Sequence, residues 1–186
     1  MRTTIHFEGA GRKKEVGADS AGSGIWYGEG DERNTALCTK HDTPSREVGE
    51  LIVICWVAKN EPAEDELHLV GSSKVTIGNL TKNLKLNEKK GYIGVENQDL
   101  YRAAVAALRA RVAKTTLQAK GGARESEGTR VAKKLVEEAT TRRTNLFDKP
   151  DLSIDPKFNL TGAQLSSLTQ ASAYRGIQET IVAKKR

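Results

Sequence analysis

Leu67-His-Leu-Val-Gly-Ser-Ser-Lys-Val-Thr-Ile-Gly-Asn-Leu80 is the stretch that decides the architecture of this 186-residue chain. Leu67, Leu69 and Val70 make a short apolar run that Gly71 ends, as a buried strand does. Ser72 and Ser73 then offer hydroxyl oxygens to the unpaired N–H groups of a first helical turn. Ile77, Leu80 and Leu84 recur at i, i+3 and i+7, the stripe of a helix over 73–86. A strand handing over directly to a helix is the unit of an α/β sheet, and the carboxyl end of such a strand is where chemistry usually sits. Position 71, at that end, has no side chain.

Upstream, residues 3–8 (TTIHFE) alternate as a first strand, and a glycine- and charge-rich turn follows. Residues 24–27 and 37–39 read as second and third strands. Residues 47–58 (EVGELIVICWVA) admit two readings. Their β-branched side chains favour a strand, while their length and the central Glu50 fit a helix packed on both sides. Downstream, the basic turn NEKKG precedes Tyr92-Ile-Gly-Val, and 98–112 (QDLYRAAVAALRARV) is an amphipathic helix. Residues 115–119 form a last strand, GGARESEG a polar loop, and 129–142 a charged helix. The two prolines and turn residues of 145–159 make a linker, and 161–184 a polar helix carrying Leu165, Leu168 and Ile177. No internal repeat is present. The expectation is an α/β fold: a mixed five-stranded sheet flanked by helices over 1–145, then a linker and C-terminal helical tail over 146–186.

A net charge of +6 favours an anionic partner such as nucleic acid, although a merely basic, soluble surface gives the same number. Aromatic residues at 5% argue against a platform that stacks many bases. The start, MRTTIHFEGAGRKK, lacks the apolar core of a secretory signal, and the apolar run 51–58 is too short to span a bilayer. With only Cys38 and Cys55 no disulfide framework is expected, so a cytoplasmic or nuclear protein is. Cys38-Thr-Lys-His41 has the spacing of half a zinc site, with no second pair to complete it. His6 and His68 sit in strands and read as structural. P-loop, dinucleotide and nucleophile-elbow motifs are missing.

A series of short matches, in order across 3–141, resembles ribonuclease H type 1. The family's first strand ends in Asp-Gly-Ser, here Glu8-Gly9-Ala10, and a glycine-rich aromatic strand follows, here Ala21-Gly-Ser-Gly-Ile-Trp-Tyr27. Its Ala-Gly-Glu-Leu helix is matched by Val48-Gly49-Glu50-Leu51, and its Asp-Ser-Lys by Gly71-Ser72-Ser73-Lys74. A lysine-rich turn follows as Lys89-Lys90-Gly91-Tyr92-Ile93. The closing loop and helix correspond to Ala119-Lys-Gly-Gly122 and Thr129-Arg-Val-Ala-Lys133. The tail, with Phe158-Asn-Leu-Thr-Gly-Ala-Gln-Leu165, resembles extensions of fungal members.

The resemblance implies a helix at 48–58, and a cleft where four carboxylates hold two magnesium ions that activate water and stabilise the leaving oxygen. Those four fall on Glu8, Glu50, Gly71 and Lys133, and the family's loop histidine falls on Gly122. Only Glu8 and Glu50 keep an acid, so a remnant that holds no magnesium is expected. One residue either way from Lys133 brings Ala132 or Lys134, neither acidic. Lys74, Lys85, Lys89, Lys90 and Lys120 are the expected phosphate contacts, binding RNA/DNA hybrid or duplex without reading sequence. The function implied is nucleic-acid binding without hydrolysis. Two alternatives stand beside it: a protein-interaction scaffold using the C-terminal helix, and a residual hybrid ribonuclease completed by other carboxylates.

Overall fold

The computed structural model of the chain describes residues 1–13, 18–121, 126–141 and 147–183. At the centre of a five-stranded sheet runs β1 (Arg2–Arg12), flanked on one side by β2 (Ser20–Trp26) and then β3 (Thr35–Lys40), all antiparallel. On the other side β4 (Glu66–Gly71) lies parallel to β1, and β5 (Thr115–Ala119) parallel to β4, giving the order β3-β2-β1-β4-β5. The first hairpin is longer than the sequence suggests: Gly9 to Arg12 continue the ladder against Ser20 to Ser23. Residues 91–94 form a turn, with Gly91, Tyr92 and Gly94 all in the left-handed region.

The ambiguous segment is helix α1 (Arg46–Asn60), capped by the Ser45 hydroxyl, which accepts from the Val48 N–H at 3.1 Å. Val48, Leu51, Ile52, Val53, Ile54, Cys55 and Val57 are all buried, because the helix packs on the sheet and also against α4 (Gln98–Arg109). Burial at about 1.5–3 kcal/mol per large side chain outweighs a β-branched penalty of a few tenths. One residue sets how closely α1 lies. A Cβ on Gly49 would stand 2.2 Å from the Gly22 carbonyl oxygen and 2.8 Å from the Gly9 Cα. With none of these three glycines carrying a side chain, the helix and the two strands touch backbone to backbone.

The helical stripe after β4 is two helices, α2 (Lys74–Leu80) and α3 (Leu84–Lys89). Thr81 separates them: its hydroxyl donates to the Ile77 carbonyl at 2.6 Å, a local alternative to continuing the helix. On the opposite face of the sheet α5 (Glu127–Thr141) buries Ala132, Val136 and Ala139, the last against Ala36 and Cys38 of β3.

The expected boundary at 145/146 lies outside the described residues. Beyond it, the prolines and turn residues make no free linker. The Asp148 N–H donates to the Cys38 carbonyl at 2.8 Å and its carboxylate accepts from the Cys38 N–H at 2.7 Å, so the segment lies along the outer edge of β3. Leu152 and Ile154 pack on the main core, and Lys59 pairs with Asp151 at 2.9 Å. The last helix starts later than the sequence suggests, as α6 (Gln170–Ala183), with Tyr174, Ile177 and Ile181 exposed. Among the described residues no helix is long and apolar enough to cross a membrane.

Candidate active-site remnant

The parallel register of β1 and β4 sets Phe7 opposite Gly71. One residue further along, at the carboxyl end of both strands, the Ser72 hydroxyl donates to Glu8 Oε1 at 2.5 Å and lies 3.3 Å from Glu50 Oε1. The Ser73 N–H donates to the same Glu50 oxygen at 3.1 Å. Glu50 is delivered from the second turn of α1, and Arg46, one turn earlier, places its Nε 3.5 Å from Glu8 Oε1. Two carboxylates, a hydroxyl and a guanidinium thus join β1, α1 and the start of α2.

Burial governs the charge here. Glu50 is fully buried and Glu8 is 5% exposed. Desolvation, with the nearby Glu8 charge, lifts the Glu50 carboxyl to about 7, against the pull of the Thr76 hydroxyl, the Ser73 N–H and Arg46. Glu50 Oε2 and Thr76 Oγ1 are both buried without a well-formed hydrogen bond.

No protein-family model and no curated protein matches the sequence. Solved structures do match. One is the foamy viral protease-reverse transcriptase in complex with dsDNA, with TM-score 0.59 and 14% identity over 75% of this chain and 94% of that one. Another is LC9-RNase H1, a type 1 RNase H with the type 2 active-site motif, with TM-score 0.55 and 12% identity over 94% of this chain and 85% of that one. The fold is ribonuclease H-like.

Within that ribonuclease H-like frame the structure brings Glu8 and Glu50 together and turns position 71 away from them. A Cβ on Gly71 would stand 2.3 Å from Phe7 Cζ and within 2.9 Å of two further ring atoms, so that position faces the core. The expected convergence of Gly71 on Glu8 and Glu50 is therefore corrected by one residue, to Ser72. Successive strand residues face opposite ways, and a slip of one reverses the side chain. The alternation was present in the sequence: Leu67, Leu69 and Gly71 face inward, which sends 72 outward.

Lys133 is exposed on α5 and, among the described residues, enters no ion pair. Arg46 is a cation that acts on both Glu50 and Glu8. Arg46 was missed in the sequence, although its i, i+4 spacing from Glu50 on a helix was a usable signal. Gly122 lies outside the described residues. Lys74 is exposed just after the Ser73 cap of α2, and the Lys120 N–H donates to the Gly71 carbonyl at 2.7 Å at the end of β5. Lys85 and Lys89 are exposed one turn apart on α3, with Lys90 half-buried beside them.

Magnesium demands near-octahedral oxygen ligation, and a two-ion site needs several carboxylates to share. Among the described residues no three His, Cys, Asp or Glu side chains are grouped to hold a metal. Glu8 already accepts from Ser72 and faces Arg46, and Ser72 adds a neutral ligand where an acid would be needed. These residues do not fit a two-magnesium centre. Chemically the arrangement is a hydrogen-bonded clasp in which the Ser72 hydroxyl lies between two carboxylates, the buried Glu50 being the one whose carboxyl is pushed up.

Proposed function

We propose that this chain is a nucleic-acid-binding domain of ribonuclease H-like fold that does not hydrolyse its ligand. One observation supports the reading: beside Glu8 and Glu50 sits the neutral Ser72 hydroxyl, 2.5 Å from Glu8 and 3.3 Å from Glu50, and among the described residues no third His, Cys, Asp or Glu is grouped with them to hold a metal. Position 133, where the fourth acid was expected, is an exposed lysine. The net charge of +6 and the exposed Lys74, Lys85 and Lys89 support binding to phosphates of an RNA/DNA hybrid or duplex, with Lys90 and Lys120 half-buried beside them. Residues 1–145 form the binding domain and 146–186 its extension. Two buried free cysteines, Cys38 and Cys55, fit a cytoplasmic or nuclear setting.

A fluorescent hybrid and an end-labelled hybrid test the two halves of this reading. Binding at low salt should weaken with a log–log slope of about −0.9 per neutralised phosphate on duplex DNA, and Lys85→Ala with Lys89→Ala should flatten it by about two contacts. With millimolar magnesium the labelled strand should stay intact. Cleavage that Glu50→Gln abolishes would overturn the loss of hydrolysis. Absence of binding at low salt would favour a second reading, a protein-interaction scaffold, for which the exposed Tyr174, Ile177 and Ile181 of α6 speak.

A further inference from the structure

The chain segment 160–164 is fixed against α3 and α4 by backbone contacts. The Gln164 N–H donates to the Lys89 carbonyl at 2.8 Å. The Arg102 guanidinium, stacked 4.8 Å from the Tyr92 ring, donates to the Leu160 carbonyl and, at 2.8 Å, to the Gly91 carbonyl. Between this segment and α3 lies an open groove of about 460 Å³. One wall carries Lys85 and Lys89; the other carries Thr161, Gly162 and Gln164.

The chemistry of that groove is one-sided. Its one acid, Glu88, is held in a two-pronged ion pair by Arg109, at 2.5 and 3.0 Å, and so is withdrawn from any ligand. The side chains of Lys85, Lys89, Thr161 and Gln164 enter no hydrogen bond or ion pair among the described residues, and all four are exposed. The two lysines are four residues apart on one helical face, separated by ~6 Å along the axis. Gly162 holds a left-handed turn at φ +85, and a Cβ there would meet nothing within 4 Å, which leaves bare backbone facing the groove. No aromatic ring lines it, so it has nothing on which to stack a base. Paired cations opposite neutral donors suit the oxygens of a phosphodiester chain.

We infer that residues 161–164 of the C-terminal segment are the second wall of a groove that seats one phosphate backbone of the nucleic acid. This inference rests on the binding function proposed above and adds to it Thr161 and Gln164, two residues outside the region of the ribonuclease H resemblance at 3–141. Such a groove also gives the extension a role, since it converts a basic helix into a two-sided channel.

The test uses the full chain, a fluorescent RNA/DNA hybrid and anisotropy titrations at several salt concentrations. Thr161→Ala with Gln164→Ala should weaken binding at least about tenfold, since each removes a hydrogen bond to a charged group. Its salt slope should match the parent, because neutral donors release no counterions, whereas Lys85→Ala should make the slope shallower by about 0.9. Thr161→Glu should weaken binding further by repulsion. All three positions are exposed, so melting temperatures should match the parent and confirm folding. Parent-like affinity, within about twofold, in both the double alanine variant and Thr161→Glu would overturn the groove while leaving the binding function standing. A parent protein that fails to bind at low salt would overturn both.

Discussion

An aspartate at position 71 and an aspartate at position 72 should behave as opposites. At 71 the new Cβ would stand 2.3 Å from Phe7 Cζ, and Phe7 is fully buried with nowhere to retreat. Overpacking of that kind costs about 1–3 kcal/mol, and a carboxylate driven into the core adds several more. At about 2–4 °C per kcal/mol for a chain of this length, Gly71→Asp should melt about 10 °C or more below the parent. At 72 the carboxylate instead joins Glu8 and Glu50. A like-charge pair at ~4 Å costs up to about 4 kcal/mol at an effective dielectric near 20, so Ser72→Asp should also be destabilised in chelator. Here, however, the third acid creates a cation site. With a dissociation constant of about 1 mM, about 10 mM magnesium would return ~1.4 kcal/mol, a rise of about 3–6 °C. Thermal unfolding by circular dichroism, in chelator and in magnesium at matched ionic strength, reads both effects. Only Ser72→Asp should respond to the ion. A Gly71→Asp protein with parental melting temperature and a magnesium response, beside an unresponsive Ser72→Asp, would refute the placement of the site.

Two further outcomes follow from the same geometry. The folded-state pKa of Glu50 is raised from 4.5 to about 7, so the native protein holds a proton that the unfolded chain releases, and stability falls as pH rises across that window. The shift corresponds to about 3 kcal/mol. Glu50→Gln, which cannot titrate, should gain on the parent from pH ~4.5 to ~7 in urea unfolding; an unchanged pH profile would contradict it. Gly49→Ala should lower the unfolding free energy in urea by about 2 kcal/mol or more, because a Cβ 2.2 Å from the Gly22 carbonyl outweighs the ~1 kcal/mol of helix propensity that alanine adds. A stabilised Gly49→Ala would show that α1 does not lie as close as described.

The sheet was legible because its signals are local: alternation in 3–8, the apolar run at 67–70 and the short strand at 115–119 all lie within strands of the structure. Helix α1 was not legible from its own residues, since Ile52 to Val57 meet core on nearly every side and a helix buried all round has no stripe. The ribonuclease H resemblance resolved it through Gly49 and Glu50. The site was half legible. Glu8 and Glu50 come together around Ser72, but matching Gly71-Ser72-Ser73-Lys74 to Asp-Ser-Lys leaves two registers, and the packing of position 71 on Phe7 separates them. The segment after 145 misled because Leu152 and Ile154 are isolated apolar residues among turn formers, and their partners lie far away in sequence. Local pattern cannot report a docking that depends on distant surface.

The bracing of Cys38 by Asp148 has a consequence for solubility. A sheet of five strands has two open margins, and each presents unpaired N–H and C=O groups that can recruit another chain. Asp148 takes both the Cys38 N–H and its carbonyl, with 2.7 and 2.8 Å contacts, so the middle of the outer strand is closed to a stranger. The C-terminal extension thus covers part of a sheet margin that would otherwise be open to edge-to-edge pairing, and an Asp148→Ala chain would lose the side-chain half of that cover at Cys38.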